Sequence, residues 1–328
     1  MRVLHLDAGK SMRGGQWQAL RLIEGLAAEG IESTLLARPD SPLFEAARSA
    51  GARVRSLGFL RAAWEARRHD LVHAHDSRSH TMAALAGGAP LIVSRRVAFG
   101  GSLTLRAEAR PALARWKYNR AARYIAVSEH VKAILAERGV PGEKIAVVYD
   151  GVPLLASRPD LGSENAPLLA LSNAEDAQKG AALAAEAARM AGAGLRFTSD
   201  PERDLPGAAA FLYITYSEGL GSGALLAMSA GVPVIVSAVG GLKEIVQHGE
   251  NGLLVENSAA AIASAIRELL GDRKFAARLG AAGRRTVEER FTVDLMVRRT
   301  IEVYQQTLFH RRGAETPSSP GGGEGGQE

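Results

Sequence analysis

Residues 216–255 read YSEGLGSGALLAMSAGVPVIVSAVGGLKEIVQHGENGLLV, and this stretch decides the fold. The small and apolar residues that follow Glu218 predict a helix over 221–231. Pro233 comes after a glycine and a valine, which predicts the end of that helix and the start of a buried strand. Gly240 begins a second tight turn. A carboxylate and glycine turns at the carboxyl edge of a strand suit the hydroxyl groups of a sugar and a diphosphate.

The same alternation of short apolar runs and helical stretches continues along the chain. In the first half, strands are predicted at 2–7, 32–37, 52–56, 70–74, 90–94, 123–127 and 144–148. In the second half, they are predicted at 168–172, 194–198, 209–214, 233–237 and 252–255. This alternation indicates the α/β fold class, with parallel sheets covered by helices on both faces. Right-handed crossovers then bring the carboxyl ends of the strands to one edge, where ligands bind.

Helices are predicted between these strands. Their bounds are 15–30, 128–138, 179–191, 221–231, 258–270, 273–287 and 292–310. The first is the clearest, because Leu20, Ile23, Leu26 and Ala27 recur at helical spacing.

The sequence predicts that the chain divides into five consecutive structural regions. They are a first Rossmann-like domain at 1–150, a linker at 151–166, a shortened second Rossmann-like domain at 167–290, a last helix at 291–312 and a disordered tail at 313–328. The linker is rich in Pro, Gly and Ser, and the tail has almost no apolar residues. The second domain is expected to be shortened because only about 28 residues separate Met190 from Glu218.

The composition excludes several classes of protein. Cysteine is absent from all 328 residues, which excludes disulfides and thiolate metal sites. Hydrophobic residues make up 46%, enough for a core in each half. No apolar run approaches the ~20 residues of a membrane-spanning helix, and the N-terminus begins with a strand rather than a signal peptide. We therefore expect a cytoplasmic protein.

The charge is unevenly distributed. Residues 1–150 contain 23 Lys or Arg and 14 Asp or Glu, whereas the remaining residues contain 17 and 21. Eight basic residues and one acid lie between Arg95 and Arg123. A basic half attracts polyanions, for example anionic lipid headgroups or phosphorylated substrates; arginine on a solvated surface is the alternative explanation. Nucleic-acid binding is not predicted, because no recognised motif or aromatic interleaving accompanies the basic charge.

Two glycines and one lysine are candidates for phosphate contacts. Gly14 and Gly15 lie between a predicted strand and a predicted helix, whose free N–H groups would face an anion. A flexible turn that binds nothing is the alternative. Lys179 opens the first helix of the second half, where a cation suits a pyrophosphate. An ordinary exposed lysine is the alternative there.

A histidine pair ends the fourth predicted strand. His73 and His75 share a face of that strand, a pattern that can indicate a metal ion. No third ligand stands at a convincing spacing, so no metal site is predicted. His75 and Asp76 are candidates for acceptor contact, with a hydrogen-bonded histidine at a strand end as the structural alternative.

A family resemblance rests on these segments. Residues 216–255 resemble the nucleotide-sugar motif of glycosyltransferase family 4, and the resemblance extends over about residues 1–308. Further matching segments are RGGQWQALRLIEGLA, DLVHAHD, RYIAVSEHVKAILAERGVPGEKIAVVYDGV and FTVDLMVRRTIEVYQQTL. The resemblance implies the GT-B architecture, in which two Rossmann-like domains face each other across a cleft and the last helix crosses back onto the first domain. It also implies a nucleotide-sugar donor, transfer mostly with retention, no metal and no other cofactor.

The resemblance also assigns roles to residues. Glu218 resembles the first glutamate of the family's Glu-x7-Glu motif, beside the donor sugar, and His75 is grouped with it as a catalytic candidate. Gly14 and Gly15 resemble the glycine loop that faces the donor phosphates, and Lys179 resembles the phosphate lysine. The backbone that would cap the phosphates comprises Gly219, Gly221, Ser222, Gly223 and Ala224.

Three departures from the family pattern stand out. Leu226 occupies the position of the second glutamate, which usually grips the ribose. The arginine that usually accompanies the phosphate lysine is missing from LSNAEDAQKG. Arg95 and Arg96 replace the histidine that usually follows the fifth strand, and a guanidinium suits phosphate or acceptor groups.

The expected function is transfer of a sugar from a nucleotide sugar to a hydroxyl group of a lipid-linked or cell-envelope polysaccharide acceptor. The basic stretch 95–123 would contact an anionic membrane surface peripherally, at the inner face of the membrane. The alternative is a degenerate, non-catalytic GT-B-type binding or partner subunit, which the missing glutamate, the missing arginine and the shortened second domain favour. A sugar-nucleotide epimerase shares the architecture but usually keeps more carboxylates.

Overall fold

The protein contains two parallel β-sheets, which lie in successive halves of the chain. We describe a computed structural model that covers residues 1–96, 111–156, 166–171 and 179–315. The first sheet comprises β1 Arg2–Asp7, β2 Glu32–Ala37, β3 Arg53–Ser56, β4 Leu71–Ala74, β5 Leu91–Arg95, β6 Arg123–Ala126 and β7 Ile145–Val147. The second comprises β8 Leu168–Leu171, β9 Leu195–Thr198, β10 Ala210–Tyr213, β11 Val234–Ser237 and β12 Leu253–Val255.

Helices connect and cover these strands. In the first half they are α1 Gly14–Ala28, α2 Pro42–Ser49, α3 Phe59–Ala66, α4 Ser77–Ala86, α5 Pro111–Asn119 and α6 Glu129–Glu137. In the second half they are α7 Ala181–Ala191, α8 Pro201–Asp204, α9 Ser222–Ser229, α10 Leu242–Ile245, α11 Ala259–Gly271, α12 Arg273–Arg290 and α13 Val293–Glu315. Short 3-10 turns at Gly142–Lys144 and Leu205–Gly207 complete the connections.

The strand order places one reversal of direction in each sheet. The first sheet runs β3-β2-β1-β4-β5-β6-β7 and the second runs β12-β11-β10-β8-β9. The order reverses between β1 and β4 in the first sheet and between β8 and β10 in the second. Parallel α/β sheets bind ligands at the carboxyl ends of the strands beside such a reversal. The predicted α/β fold class with parallel sheets is therefore confirmed.

The core explains why these residues form these strands. Val3, Leu4 and Leu6 of β1 have no exposed surface, because helices cover both faces of a parallel sheet. On one face, Val3 packs with Leu26 of α1 and Tyr304 of α13 in a single hydrophobic cluster. The second half has its own core, formed by helices α7 and α11 against β8 and β10; its members include Leu168, Ala184, Leu212, Ile262 and Ile266.

We call the two halves of the structure, each built around one sheet, the first lobe and the second lobe. The chain crosses between them at two adjacent segments. Val152, after the first lobe, donates its backbone N–H to the carbonyl oxygen of Phe291, at 2.9 Å. Helix α13 then returns to the first lobe and packs on α1, where a Cβ atom on Gly25 would clash with a methyl group of Val297. The absence of a side chain at Gly25 thus allows the last helix to approach.

Several predicted regions differ in their bounds from the observed elements. Helix α13 continues to Glu315, so the first residues of the predicted tail are helical; the rest of that tail lies outside the described residues. Most of the predicted linker, from 157 to 165, also lies outside them. Between β9 and β10 the chain forms only the four-residue helix α8 and a 3-10 turn.

Candidate active site

The carboxyl edges of the two sheets meet, and the N-termini of two helices meet with them. Helix α1 begins at Gly14 and α9 begins at Ser222. A Cβ atom built on Gly14 would lie 3.0 Å from the hydroxyl oxygen of Ser222, so the two helix starts are in contact range across the lobes. The first N–H groups of a helix lack partners within it and carry partial positive charge. The two helix starts together form a site suited to an anion such as a diphosphate.

Glycine is required where α9 begins. Gly221 has a φ of 109°, in the left-handed region, and a Cβ atom there would lie 2.5 Å from Leu242. Gly223 lies against the ring of Tyr213, at 2.8 Å from where its Cβ would be. Ala224 is fully buried, so it offers a ligand no side-chain surface. The glycines of the predicted motif therefore bring the backbone of α9 close to its neighbours.

A lysine, a glutamate and a tyrosine meet beside the start of α9. The Lys179 ammonium lies 2.7 Å from Glu218 Oε2, and the Tyr213 hydroxyl donates a hydrogen bond of 2.7 Å to that same oxygen. Burial raises the pKa of Tyr213 well above its usual range, so its hydroxyl keeps its proton and remains a donor. The structure thus brings together Lys179 and Glu218, which sequence reasoning had placed at one site.

We call the space between the two lobes, where these helix starts meet, the cleft. Arginine 96 extends into it from the end of β5. Its Nε donates to Asp150 at 3.1 Å and one terminal nitrogen lies 3.3 Å from His75 Nδ1. A Cβ atom on Gly15 would lie 3.7 Å from the Arg96 side chain, so this cation stands beside the first helix start. Burial raises the pKa of Asp150, and the nearby Arg96 charge opposes that shift. The cleft therefore holds a second cation in addition to Lys179.

Arginine 95 does not accompany its neighbour into the cleft. It is 8% exposed, and its charge acts on His80, Lys117 and Tyr124 instead. Consecutive residues of a strand point to opposite faces, which separates the two arginines. Of the pair that sequence reasoning proposed for phosphate or acceptor binding, the structure places only Arg96 at the cleft.

Histidine 75 belongs to a buried cluster of three histidines, of which sequence reasoning found the pair His73 and His75 but missed His5. His5 of β1 pairs in register with His73 of β4, so His5, His73 and His75 lie side by side on one face of the sheet. The His75 Nε2 and His5 Nδ1 atoms are 3.0 Å apart, and His73 contacts Tyr304 and Ser94 at 2.6 and 2.8 Å. Burial lowers the pKa of His5 to about 3 and lowers those of His73 and His75 well below 6.5. The three imidazoles are therefore neutral.

Arginine 96 determines how protons are arranged in this cluster. A guanidinium only donates hydrogen bonds, so His75 Nδ1 must accept and His75 Nε2 must carry the proton. His75 then donates to His5 Nδ1, and His5 carries its own proton on Nε2. That Nε2 is buried and has no hydrogen-bond partner among the described residues. The orientation of His75 is thus tied to the position of Arg96.

The same cluster bears on metal binding. One nitrogen from each of the three histidines lies within 4.8 Å of the others, so His5 supplies the third ligand that the sequence spacing did not reveal. These nitrogens are engaged with one another and with hydroxyl groups, and the Arg96 charge stands beside His75. A cation there would need to displace these contacts against a like charge. Activity without a metal stays a prediction from the family resemblance.

Aspartate 76 caps a helix. Its carboxylate accepts hydrogen bonds from the backbone N–H groups of Ala8, Arg78 and Ser79, at 2.6, 2.7 and 3.1 Å. The Ser79 hydroxyl donates to it as well, at 2.5 Å. These contacts make Asp76 the N-cap of α4 and join that helix to the end of β1. Its proposed contact with an acceptor stays a prediction.

A glutamate joins the two lobes at one side of the cleft. The Glu244 carboxylate, on α10, accepts from the backbone N–H groups of Glu129 and His130 at 2.9 and 2.8 Å, and from the Tyr149 hydroxyl at 3.2 Å. Glu244 therefore caps α6 of the other lobe. Next to it, the Ser128 hydroxyl donates to the carbonyl oxygen of Gly219 at 2.7 Å. A cap supplied from 114 residues away in the chain carries no local sequence signal.

Leucine 226 lies inside α9 and is 6% exposed. Its side chain belongs to the hydrophobic cluster that extends from the first lobe into the second. The leucine that replaces the second glutamate of the family motif therefore packs in the hydrophobic core.

Models of two protein families match the chain. The model described as Glycosyltransferase Family 4 matches residues 12–154, and that described as Glycosyl transferases group 1 matches residues 197–286. The two matches lie in the two lobes, on either side of the cleft.

Curated relatives match over shorter segments. A GDP-mannose-dependent alpha-(1-6)-phosphatidylinositol monomannoside mannosyltransferase of Mycobacterium tuberculosis is 46% identical over 80 residues, which is 24% of this chain and 21% of that protein. The capsular polysaccharide biosynthesis glycosyltransferase CapM of Staphylococcus aureus is 30% identical over 120 residues, 36% of this chain and 32% of that protein. The matched segments thus span about a fifth to a third of these relatives.

Solved structures match over nearly the whole chain. HepE of Anabaena, solved in complex with UDP and glucose, has a TM-score of 0.81 at 16% identity and covers 93% of this chain and 100% of that chain. Sucrose-phosphate synthase of Thermosynechococcus elongatus has a TM-score of 0.77 at 20% identity and covers 94% and 99%. At such identities the likeness shows the fold, and it confirms the expected GT-B architecture.

Proposed function

Because this chain belongs to glycosyltransferase family 4, we propose that it transfers a sugar from a nucleotide-sugar donor to a hydroxyl group of an acceptor. The contact between the helix starts at Gly14 and Ser222, with Lys179 and Glu218 beside α9, is the observation that carries this proposal. The diphosphate of the donor would lie alongside the two helix starts, within reach of the N–H groups of both, and the sugar would lie towards Glu218.

The residues of the cleft suit the charge that develops during transfer. When the glycosidic bond to the donor breaks, negative charge grows on the departing diphosphate. Two helix N-termini, Lys179 and Arg96 all present positive charge to that position. Charged groups that are already in place stabilise a transition state without reorganising, so they lower the barrier.

Glutamate 218 would orient the donor sugar through its carboxylate. One of its carboxylate oxygens binds both Lys179 and Tyr213. A bound diphosphate would attract the Lys179 ammonium, and Glu218 would then be free to accept hydrogen bonds from sugar hydroxyl groups. Tyr213 would hold the carboxylate in position throughout.

Histidine 75 would act through Arg96 as a positioning residue. It is 6% exposed, and its two ring nitrogens are engaged by Arg96 and His5. By accepting from Arg96 it would direct the guanidinium towards the diphosphate, alongside Asp150.

The acceptor class is proposed from the relatives and the family resemblance. The mycobacterial relative is named for a phosphatidylinositol mannoside acceptor and CapM for capsular polysaccharide biosynthesis. We propose a lipid-linked or cell-envelope polysaccharide acceptor for this chain, and transfer with retention of the anomeric configuration. Retention would be read directly from the anomeric proton of the product by NMR.

A thermal-shift screen tests the donor site first. UDP, GDP, ADP and dTDP, each free and as sugar conjugates, are compared on the wild type and on Lys179→Met. A ligand near a hundred times its Kd stabilises the folded protein by about 2.7 kcal/mol, so a specific donor gives a clear rise in Tm. We expect one base to stand out and the rise to shrink in Lys179→Met.

Turnover tests the catalytic part separately. The donor found in the screen is incubated with the enzyme, and release of the nucleoside diphosphate is measured for the wild type and for Glu218→Ala. We expect the wild type to release the nucleoside diphosphate and Glu218→Ala to release none. Donor binding without any release, with water or with lipid-linked and polysaccharide acceptors, would instead favour the non-catalytic binding subunit.

A further inference from the structure

One surface outside the cleft combines exposed apolar side chains with a ring of arginines. It lies at β3, the edge strand of the first sheet, and at α3, which follows it. We call it the α3 surface and define it by Arg53, Arg55, Leu60, Arg61, Trp64 and Arg68. It is two strands away from the reversal between β1 and β4 where the donor site lies, so its role goes beyond the proposed transfer reaction.

The apolar part of the α3 surface is unusually exposed. Leu60 is 83% exposed and Trp64 is 53% exposed, and Phe59 beside them is 47% exposed. Leu60 and Trp64 are four residues apart, so they project within about 40° of each other on the helix. An isolated apolar residue on a surface is ordinary, but adjacent large ones indicate an interaction site.

Positive charge surrounds this apolar centre. Arg53, Arg55, Arg61 and Arg68 are all exposed. The Arg68 guanidinium lies 3.8 Å from the centre of the Trp64 ring and stacks on it. The one acid between residues 53 and 68 is Glu65, and it is 3% exposed. The exposed charges of the α3 surface itself are therefore all positive, while the exposed acids Glu24 and Glu32 line the adjoining groove on the other side of Trp64.

A groove runs between the edge strand and the helix. It has a volume of about 880 Å³ and is lined by Arg53, Arg55 and Arg61 together with Phe59, Leu60 and Trp64, and the largely buried Glu65 lies at its base. A concave region with cationic and apolar walls matches an amphiphile whose headgroup is anionic.

We propose that the α3 surface docks onto an anionic lipid bilayer. Leu60 and Trp64 would enter the boundary between headgroups and acyl chains, and the arginines would contact lipid phosphates around them. A second copy of this chain would bring arginines against arginines, which repel one another. A free phosphate would use the arginines but leave the apolar centre in water. An anionic bilayer offers phosphates to the arginines and an apolar environment to Leu60 and Trp64 at the same time.

This location differs from the one expected from the sequence. The basic stretch 95–123 was the expected membrane contact, but residues 97–110 lie outside the described residues. None of the helices within the described parts of the chain is both long and apolar enough to cross a bilayer.

Co-sedimentation with vesicles tests the proposal. Vesicles of phosphatidylcholine alone are compared with vesicles that contain about 30% phosphatidylglycerol, at about 0.1 M salt. We expect binding to the anionic vesicles only. It should fall about tenfold or more in the charge variant R53Q/R55Q/R61Q, since each arginine near the surface contributes on the order of tenfold or less, and comparably in the apolar variant L60S/W64S.

Matched controls carry the same changes elsewhere. K274Q/R285Q/R299Q removes three exposed charges on α12 and α13, and L270S/F309S removes two exposed apolar side chains. We expect both controls to bind like the wild type. An equal loss in the controls, or wild-type binding by both test variants, would overturn the proposal.

Fluorescence tests the surface with its residues intact. In W17F/W116F, Trp64 is the remaining tryptophan. We expect brominated acyl chains in anionic vesicles to quench Trp64. Absent quenching despite binding would place the contact elsewhere, and displacement by soluble glycerol 3-phosphate would identify a free-phosphate site; either result contradicts the proposal. Neither readout requires turnover, so failure of the proposed transferase activity would leave this test unaffected.

Discussion

Gly14 and Ser222 lie against each other across the cleft, with 3.0 Å between the position of a Cβ atom on Gly14 and the Ser222 hydroxyl oxygen. They are the first residues of α1 and α9, so the positive ends of helices from the two lobes converge at one point. Lys179, Glu218 and Arg96 are arranged around that point.

Removal of the Lys179 charge and removal of the Glu218 charge should have different effects. Lys179→Met should raise the Kd of the nucleoside diphosphate about ten- to a hundredfold, because a charge-assisted contact worth roughly 1.5–3 kcal/mol is lost. Glu218→Gln should change that Kd by about twofold or less but lower kcat about a hundredfold, as expected when a preorganised charge is lost. Isothermal titration and initial-rate kinetics measure the two quantities.

Lys274→Met is the matched control, because Lys274 is exposed on α12, away from the cleft. If Lys179→Met affected kcat alone and Glu218→Gln affected Kd alone, the roles assigned to the two residues would be reversed.

Arginine 96 should contribute to diphosphate binding in place of the missing arginine of the second lobe. Arg96→Gln should raise the donor Kd about tenfold, and Arg96→Lys should recover only part of the loss, because lysine cannot reproduce the two-sided contact with Asp150 and His75. Arg138→Gln, an exposed arginine that follows α6, should leave the Kd unchanged. Complete rescue by lysine would show that charge alone matters, against the geometric role.

Glutamate 244 should hold the two lobes together. Glu244→Ala removes one of two caps of α6, since the Ser128 hydroxyl still accepts from the N–H group of Val131, and should lower the free energy of unfolding by about 1 kcal/mol. More specifically, the amide protons of Glu129 and His130 should exchange faster with deuterium, since both lose their acceptor. Glu250→Ala, which removes an exposed carboxylate nearby, serves as the control. Unaltered exchange at Glu129 and His130 would mean that the two lobes do not meet there in solution.

Stability should fall in mild acid because of buried neutral histidines. Burial, with a smaller effect of the Lys117 charge, lowers the pKa of His80 to about 3 from 6.5 in the unfolded chain. Between these values the unfolded state binds a proton that the folded state does not, so the contribution of His80 is present at neutral pH and is lost as the pH falls. In His80→Gln this titration is absent, so the free energy of unfolding of the variant relative to the wild type should rise by about 1 kcal/mol for each unit by which the pH falls from 6 to 4.

Urea denaturation at pH 7, 6, 5 and 4 measures this difference, and comparison with the wild type cancels the other titrating groups. A constant difference across that range would show that His80 titrates normally in the folded protein.

The sequence revealed the architecture because the strands are buried on both faces. Parallel strands such as Val234–Ser237 form continuous apolar runs between glycine turns, so their positions can be predicted without knowledge of the tertiary structure. The motif glycines were also predictable, because Gly221 adopts a left-handed conformation that other residues rarely take.

The missed site residues depend on contacts between distant segments. His5 lies beside His73 because β1 pairs with β4. The alternation of strands and helices along the sequence does not determine which strands become neighbours in the sheet. Asp150 joins the site through Arg96, which lies 54 residues earlier in the chain, and no local pattern around Asp150 indicates that contact. The separation of Arg95 from Arg96 depends on which residue of β5 faces the cleft, which the stretch SRRVAF does not determine.

A crystal structure of the protein with the nucleoside diphosphate identified by the thermal-shift screen would show directly whether the two helix starts bind the donor. We expect diphosphate oxygens within hydrogen-bond distance of the backbone N–H groups at the starts of α1 and α9, with the Lys179 ammonium turned from Glu218 towards them. A diphosphate bound away from Gly14 and Ser222, or one that leaves the Lys179–Glu218 pair intact, would contradict it.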